Sequence, residues 1–339
     1  MHSLQLAAPG RGRLLALLVL AAALGGAILL PARTPGSRPS SSYAALPPTP
    51  RTAPSVAVGP VEAEMHNVLF HVDDRVVLRI QRLRGRLRPT ARDAPPWFDD
   101  PQSFAVQIDT GEVAITPVSL SALLNTYVFN YKGSPLRQLE VSIEDGQLRQ
   151  RGILHKGIDL PFSIRADVSP TTDGRLRLHP TSVKVLGIGM RHLMRFLGLE
   201  LDNLVHVRQG RGVEIDGNDF LLAPAGLLPP PRIEGRVVAV RITRDEIQQF
   251  FGRSERGDAI PRLRPADPHA ANYMFYRGHV LRFGKLTMAD ADLQIVDADP
   301  TDPFDFYLSH LNDQLIAGES RNQPDLGLKT TMPDYSDLD

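Results

Sequence analysis

Three Asp-Gly pairs constrain the fold of this chain more than any other feature. They lie at 145–146, 173–174 and 216–217, each between runs in which apolar and polar residues alternate. An Asp-Gly pair favours the tight turn of a β-hairpin, and alternation with a period of two is typical of a strand with one buried face. The longest alternation has five apolar members, which are Leu160, Phe162, Ile164, Ala166 and Val168. The sequence therefore predicts a mainly antiparallel, β-rich fold.

Two apolar stripes with helical spacing indicate helices that pack on this sheet. Thr116 and Pro117 are typical of an N-cap and a first helical position, and the stripe that follows runs from Leu120 to Val128. The second stripe runs from Met190 to Leu197. The expected fold class is therefore α+β and β-rich. In this fold, an N-terminal transmembrane helix is followed by a strongly curved, mainly antiparallel sheet that packs on a few amphipathic helices.

Two further helices are predicted in the last third of the chain. Thr243 and Glu246 have the spacing of a capping box, which predicts a helix over 247–251. Asp302 and Pro303 open an apolar stripe that predicts a helix over 304–315. In an earlier region, Thr110 and Gly111 are expected to form a turn between strands 104–108 and 112–116.

The N-terminal residues predict export from the cytoplasm. Arg11 and Arg13 precede an uninterrupted apolar run at 14–30, and this order is typical of an export signal. The run is at the lower limit of about 17 residues for a membrane-spanning helix. A retained anchor is therefore favoured over a cleaved signal, and cleavage would give a secreted form. Basic residues before the run place the rest of the chain outside the cytoplasm, as a single-pass inner-membrane protein with a periplasmic domain.

Composition divides the chain into four segments. An anchor or signal segment at 1–30 is followed by a Pro/Ser-rich linker at 31–62, which favours extended conformations. A single β-rich globular domain is predicted at 63–319. Residues 320–339 lack periodicity and are predicted to be an acidic flexible tail.

No motif in the sequence specifies a reaction. The chain has no cysteine and a formal net charge of zero, which excludes thiolate chemistry and disfavours a nucleic-acid partner. The glycine-rich, nucleophile-elbow and zincin patterns are also absent. The Asp-rich stretch at 290–305 lacks the ligand order of an EF-hand. We therefore expect a non-enzymatic protein without catalytic residues, metal or cofactor.

An arginine stripe is the main charge feature of the predicted sheet. Arg82, Arg84, Arg86 and Arg88 alternate with apolar or small residues, so they share one face of a strand. One interpretation is contact with anionic lipid head groups. The alternative is a solvated strand that like charges protect from edge-to-edge pairing.

Residues 157–170 and 172–185 carry a family resemblance. They read GIDLPFSIRADVSP and TDGRLRLHPTSVKV. This stretch resembles the strand–turn–strand segment of LmeA-like envelope proteins, which belong with the tubular lipid-binding (TULIP-like) superfamily, and the likeness extends more loosely to Phe220. It implies an exported or membrane-anchored protein whose curved sheet wraps a long helix and leaves an apolar groove for acyl chains. The family binds through a lining, so no single residue role is carried over.

The apolar stripes supply the candidate lining of such a groove. The candidates are Leu120, Leu124, Tyr127, Val128, Leu160, Phe162, Ile164, Met190, Leu193, Met194 and Leu197. The leading hypothesis is a membrane-anchored envelope protein that binds or transfers a phospholipid or another acyl-chain ligand. One alternative is a structural or interaction module with a closed core and an envelope protein partner. Another is an enzyme acting on cell-wall or lipid substrates, which requires a cluster of pKa-shifted groups.

Overall fold

The chain folds into two large β-sheets with few helices, as a computed structural model shows. The structure describes residues 57–130, 132–134, 136–155, 157–185, 213–216, 219–222, 229–252, 267–324 and 327–338. Most strand pairs in these residues are antiparallel, which confirms the prediction of a β-rich and mainly antiparallel protein. The predicted anchor at 14–30, most of the linker and the predicted helix at 190–197 lie outside the described residues.

The larger sheet has eleven strands. They are β1 (Val61–His71), β2 (Val77–Pro89), β3 (Phe104–Ile115), β10 (Arg232–Gly235), β11 (Val237–Ile242), β12 (Ile247–Phe251), β13 (Tyr273–Gly278), β16 (Ala291–Asp297), β17 (Phe304–Tyr307), β18 (Glu319–Asn322) and β19 (Leu328–Met332). Nine of them follow the order β11-β12-β3-β2-β1-β13-β16-β19-β18. A short hairpin, β14 (Leu281–Phe283) and β15 (Leu286–Met288), forms a separate two-stranded sheet.

Three parallel pairs tie distant parts of the chain into this sheet. β17 pairs with β1, β10 pairs with β3, and β19 pairs with β16. Each pair joins strands that are far apart in the sequence. These pairings depend on tertiary contacts, since no local turn can set the register of a parallel pair.

One face of the large sheet forms the main core. Val61, Ala63 and Met65 are at most 5% exposed, whereas Glu62 points to the other face. A continuous aromatic cluster lies within this core, with ring centroids between 4.8 and 6.4 Å apart. Its members are Phe98, Phe104, Tyr276, Phe283, Phe304 and Phe306. Large aromatic side chains bury much apolar area each, so this cluster is a main source of stability.

The smaller sheet has six strands in the order β4-β5-β6-β7-β9-β8. They are β4 (Leu136–Glu144), β5 (Gln147–His155), β6 (Asp159–Pro170), β7 (Leu176–Val185), β8 (Val213–Asp216) and β9 (Asp219–Leu222). The three Asp-Gly pairs lie at the β4–β5, β6–β7 and β8–β9 connections, so the predicted hairpins are confirmed. Asp145 and Gly146 both have positive φ, 54° and 74°, as the preferred two-residue hairpin turn requires.

The first predicted helix is confirmed at its start. It forms α1 (Pro117–Leu123), with Pro117 in the first turn and the Thr116 side chain accepting a hydrogen bond from the Ser119 backbone N–H. A π-helical turn, Leu124–Val128, continues it. Both amide atoms of Asn125 bond the backbone of Leu139 on β4, at 2.7 and 3.0 Å, so α1 and its π-helical turn are fastened to the smaller sheet.

The predicted helix over 247–251 is wrong, because these residues form strand β12. The bond expected of a capping box is nevertheless present: Thr243 Oγ1 accepts from the Glu246 backbone N–H at 3.1 Å. Thr243 N–H also donates to the Glu246 carbonyl at 2.9 Å, which closes a tight turn between β11 and β12. The same side-chain hydrogen bond occurs both at the start of a helix and in a turn. Here the residues that follow pair with β3, so they form a strand.

The predicted helix over 304–315 is wrong in its first half. Phe304 and Phe306 are fully buried on strand β17, and a 3₁₀ turn, Leu308–His310, precedes helix α2 (Leu311–Ala317). Residues 104–115 likewise form one continuous strand instead of two strands joined by a turn. In that strand Gly111 lies opposite Leu83 of β2 without reversing the chain.

The predicted flexible tail at 320–339 is wrong for its described part. Residues 319–322 and 328–332 form β18 and β19, and a 3₁₀ turn, Tyr335–Asp337, follows. Thr330 and Met332 are fully buried. These residues are ordered because β19 pairs with β16, and the local sequence gives no sign of this pairing.

The two large sheets meet near the β6–β7 turn. The Val237 backbone N–H on β11 donates to the Gly174 carbonyl at 3.0 Å, and the Arg236 guanidinium donates to the Thr172 carbonyl at 2.5 Å. Within the residues that the structure covers, no helix is long and apolar enough to cross a membrane.

Candidate functional site

We give the name apolar band to a set of half-buried apolar side chains that come from both sheets, α1 and its π-helical turn. Its side chains pack against the main core, yet each remains half-buried. The band consists of Val106, Ile233 and Val240 from the large sheet, Ile143, Leu148 and Leu176 from the smaller sheet, and Leu120, Ala122 and Tyr127 from α1 and its π-helical turn. Partly exposed apolar side chains beside a core are candidate contacts for an apolar ligand.

The structure divides the sequence-predicted lining residues into two groups. Leu160, Phe162 and Ile164 on β6 are 3–7% exposed and belong to a closed interior. On α1 and its π-helical turn, Leu120, Leu124, Tyr127 and Val128 lie beside β4 and the core, and all but Val128 are half-buried. Leu120 and Tyr127 therefore contribute to the apolar band. Met190, Leu193, Met194 and Leu197 lie outside the described residues.

Tyr127 has a fixed orientation within the band. Its hydroxyl donates a hydrogen bond to Asp73 Oδ2 at 2.5 Å. Burial and this bond raise the pKa of Tyr127 to about 12. Burial also acts to raise the pKa of Asp73, but the bonds from Tyr127 and from two backbone N–H groups outweigh it, so that pKa lies below its usual value. The phenol therefore stays neutral at physiological pH and acts as a structural donor.

The four arginines of the stripe lie on β2 and each faces a carboxylate. Arg82 lies 3.7 Å from Glu112, Arg84 lies 3.2 Å from Glu64, Arg86 lies 3.4 Å from Asp109, and Arg88 lies 3.4 Å from Glu234. The stripe is therefore matched one for one by acidic groups on neighbouring strands. Contact of this stripe with lipid head groups stays a prediction, and the structure provides it with counter-charges of its own.

One of these pairs is buried. The side chains of Arg84 and Glu64 are 18% and 6% exposed, and the Tyr273 hydroxyl donates to Glu64 Oε1 at 2.6 Å. His66 stacks on Tyr273 with ring centroids 5.9 Å apart. Because ionised groups are costly to bury alone, each partner here depends on the other.

A cluster of three carboxylates lies at one end of the large sheet. Oxygen atoms of Asp297, Asp302 and Asp334 lie within 4.8 Å of one another. The Asn272 amide donates to Asp297 Oδ2 at 2.9 Å and to the Asp302 carbonyl. The Asp305 backbone N–H donates to Asp334 Oδ1 at 2.7 Å. Sequence reasoning found the Asp-rich stretch but missed Asp334, which β19 brings to it from a distant part of the chain.

Burial and mutual repulsion perturb this carboxylate cluster. The pKa of Asp334 is raised to about 7, first by burial and then by the charges of Asp297, Asp302 and Asp305. Burial also raises the pKa of Asp297. Three carboxylates could hold a divalent cation, although they supply only part of the six to eight oxygen ligands that Ca²⁺ takes. Hydrogen bonds from the Asn272 amide and the Asp305 N–H stabilise the ionised forms of Asp297 and Asp334.

Comparisons of the chain with protein-family models, with curated proteins and with solved structures give no match.

Proposed function

We propose that this chain is a non-enzymatic, membrane-tethered envelope protein that holds the acyl part of a lipid along the apolar band. The observation that carries the proposal is the set of half-buried apolar side chains that both sheets and α1 place against the main core. Flexible apolar linings suit acyl chains, whose binding energy comes from the apolar area removed from water.

The N-terminal sequence supports the membrane part of this proposal. The apolar run at 14–30 would anchor the chain, and the Pro-rich segment after it would act as a spacer up to β1. At about 3.1 Å per residue, an extended spacer of this length could reach roughly 90 Å. We place the globular part outside the cytoplasm, on the periplasmic side of the inner membrane.

The curvature of the smaller sheet is part of the same proposal. We infer a strongly curved six-stranded sheet around α1, as in TULIP-like proteins. In support, Asn125 fastens the helix to β4, and Leu139 and Phe162 side chains would lie within 2.6 and 3.0 Å of a Cβ at Gly152, between them on β5. Glycine at this position lets the neighbouring side chains close over the strand on its inner face.

The test is photo-crosslinking of the full chain inside a bacterial host. A photoreactive amino acid replaces Val240 or Leu176 in the band, and the adducts are identified by mass spectrometry. We expect lipid adducts at both positions and none at Val118, which is 77% exposed. Absence of lipid at both band positions, or equal capture at Val118, would refute acyl-chain binding.

A closed structural module is the second candidate function. The deep burial of Leu160, Phe162 and Ile164 favours it, because these predicted lining residues have little access to solvent. In that case the same photoreactive positions would capture a single envelope protein or nothing, and no lipid.

A further inference from the structure

The outer face of the smaller sheet carries a basic patch that differs from the arginine stripe. Its cationic side chains are Arg149 and Arg151 on β5, Arg165 on β6 and Lys184 on β7. Cross-strand register brings them into two adjacent rows: Arg151 pairs with Ser163, which pairs with Lys184, and Arg149 pairs with Arg165. Four cations on three adjacent strands thus share one surface.

One carboxylate near this basic patch contacts three of its four cations. Glu144 on β4 accepts two bonds from Arg149, at 2.7 and 2.8 Å, and one from Arg165 at 3.1 Å. The same carboxylate lies 3.7 Å from Arg151. One acidic side chain is therefore shared by three guanidinium groups, whereas each arginine of the stripe on β2 faces a different carboxylate.

Among the described residues, the remaining acidic neighbours form one ion pair with these cations. Glu140 is opposite Arg151 at the β4 edge, and Asp145 in the β4–β5 turn reaches only Arg165, at 3.9 Å. Among the residues described in the structure, Lys184 has no ion-pair partner. The two rows therefore hold four cations and one carboxylate, Glu140, whereas Glu144 lies in the next row together with Asp167, which accepts a hydrogen bond from Gln147 at 2.8 Å.

Hydroxyl groups and exposure suit this surface to anions. Ser142, Ser163 and Ser182 lie in the same two rows, and Ser163 Oγ accepts from Arg149 Nε at 3.1 Å. The side chains of Arg151 and Arg165 are 47% and 41% exposed. Guanidinium groups offer several donors in a fixed plane, which matches phosphate oxygens better than a point charge does.

We propose that this basic patch docks the domain onto a membrane surface containing anionic phospholipids. The surplus of cations in these two rows selects an anionic partner, and the expected N-terminal anchor keeps a membrane within reach. The inference deepens the proposed function, because it assigns the face that meets the membrane. It does not require that the apolar band hold a lipid.

The test uses the full chain reconstituted in phosphatidylcholine vesicles with or without phosphatidylglycerol. The chain has no cysteine, so Thr181→Cys on the exposed side of β7 accepts one fluorescent donor, and an acceptor is placed on the lipid. We expect energy transfer to increase with phosphatidylglycerol and to fall again with salt, as a charge-driven contact requires.

A triple variant, Arg149→Gln with Arg151→Gln and Arg165→Gln, should lose this increase. The expected drop in the ratio of docked to undocked domain is about a hundredfold, since each basic side chain near an anionic leaflet contributes roughly fivefold. The matched control replaces Arg82, Arg86 and Arg88 by Gln, which removes the same charge from the paired stripe and should keep the increase. Equal loss in both triple variants, or no loss in the first, would overturn the proposal.

Two further measurements separate folding and lipid uptake from docking. Lys184→Gln disturbs no described ion pair and should weaken docking by roughly fivefold without affecting the circular dichroism spectrum. An unchanged docking ratio for a folded Lys184→Gln would contradict the patch. Photo-crosslinking at Val240 tests the apolar band independently. Lipid adducts at Val240 together with failed docking would refute only the basic patch. Successful docking without lipid adducts at Val240 would refute only lipid binding by the apolar band.

Discussion

The hydroxyl of Ser121 on α1 accepts a hydrogen bond from the backbone N–H of Val141 on β4, at 2.8 Å. The same hydroxyl donates to the Pro117 carbonyl at 2.7 Å, one helical turn earlier. Among the described strands, β4 is the outermost one of the smaller sheet, so no strand of the described residues pairs with its outward N–H groups. Ser121 and Asn125 thus replace a strand at this edge and protect it from pairing with another chain.

Ser121→Ala should destabilise the folded protein by about 2 kcal/mol. The substitution leaves the Val141 N–H without its acceptor, and Val141 is 8% exposed, so water replaces the bond poorly. Chemical denaturation of the full chain in mild detergent measures the free energy of unfolding. Ser336→Ala, at an exposed position in the last 3₁₀ turn, is the control and should change it by less than about 0.5 kcal/mol.

Two ion pairs of the arginine stripe should differ in their contribution to the free energy of unfolding, because one is buried and the other is exposed. Glu64→Ala leaves the Arg84 guanidinium buried without a counter-charge and should cost about 3 kcal/mol. Glu112→Ala removes the partner of Arg82, whose side chain is 69% exposed, and should cost about 0.5 kcal/mol or less. The same denaturation experiment compares them. Equal costs would mean that Arg84 reaches water once its partner is removed.

The folded protein should lose stability as the pH rises from about 4 to about 7. The pKa of Asp334 is raised from 3.8 to about 7 in the folded state, so the folded chain binds an extra proton between these values. This stabilisation is complete below pH 3.8 and is lost as the pH rises through 7. Asp297, whose pKa is also raised, acts in the same direction.

Asp334→Asn should therefore flatten the pH profile and stabilise the protein at pH 8, by on the order of 3 kcal/mol. The Asn side-chain oxygen can still accept the bond from the Asp305 N–H. Thermal unfolding across pH, in buffer with a chelator, measures the effect. Asp290→Asn, at an exposed position outside the carboxylate cluster, should keep the wild-type profile. A steeper profile for Asp334→Asn would contradict the assigned role.

The C-terminal strand should contribute substantially to stability. Met332→Ala creates a cavity at a fully buried position on β19 and should cost about 3 kcal/mol. Ile316→Ala, on α2 and 79% exposed, should change the stability by no more than about 0.5 kcal/mol. If both variants unfold at the same denaturant concentration as the parent, residues 328–332 would behave as the flexible tail that the sequence predicts.

Local sequence predicts the hairpins well because their chemistry is local. Asp145 and Gly146 adopt positive φ at little cost, and flanking residues alternate with a period of two, so turn and strand signals agree. The start of α1 is predictable for the same reason, since Thr116 and Ser119 form its cap within one turn. The candidate site is less predictable, because its band combines side chains from eight separate elements.

At Thr243 and Phe304 the local sequence predicts a helix, but the chain forms a strand. Thr243 makes the bond expected of a helix cap, yet the chain after it pairs with β3. Phe304 begins a stripe that fits a helix, yet it packs with Phe306 in the core when β17 pairs with β1. In both places, cross-strand pairing and burial of aromatic area outweigh a local preference of at most about 1 kcal/mol per residue.

The sequence by itself determined that this protein is β-rich and mainly antiparallel, since turn residues and alternation act between neighbours in the chain. It also determined that the four arginines share a strand face. Only the tertiary structure decided that these arginines are matched by carboxylates, that Arg149, Arg151 and Arg165 share one, and that the C-terminal residues complete the sheet. Those outcomes depend on strand register between distant segments, and local sequence carries no record of it.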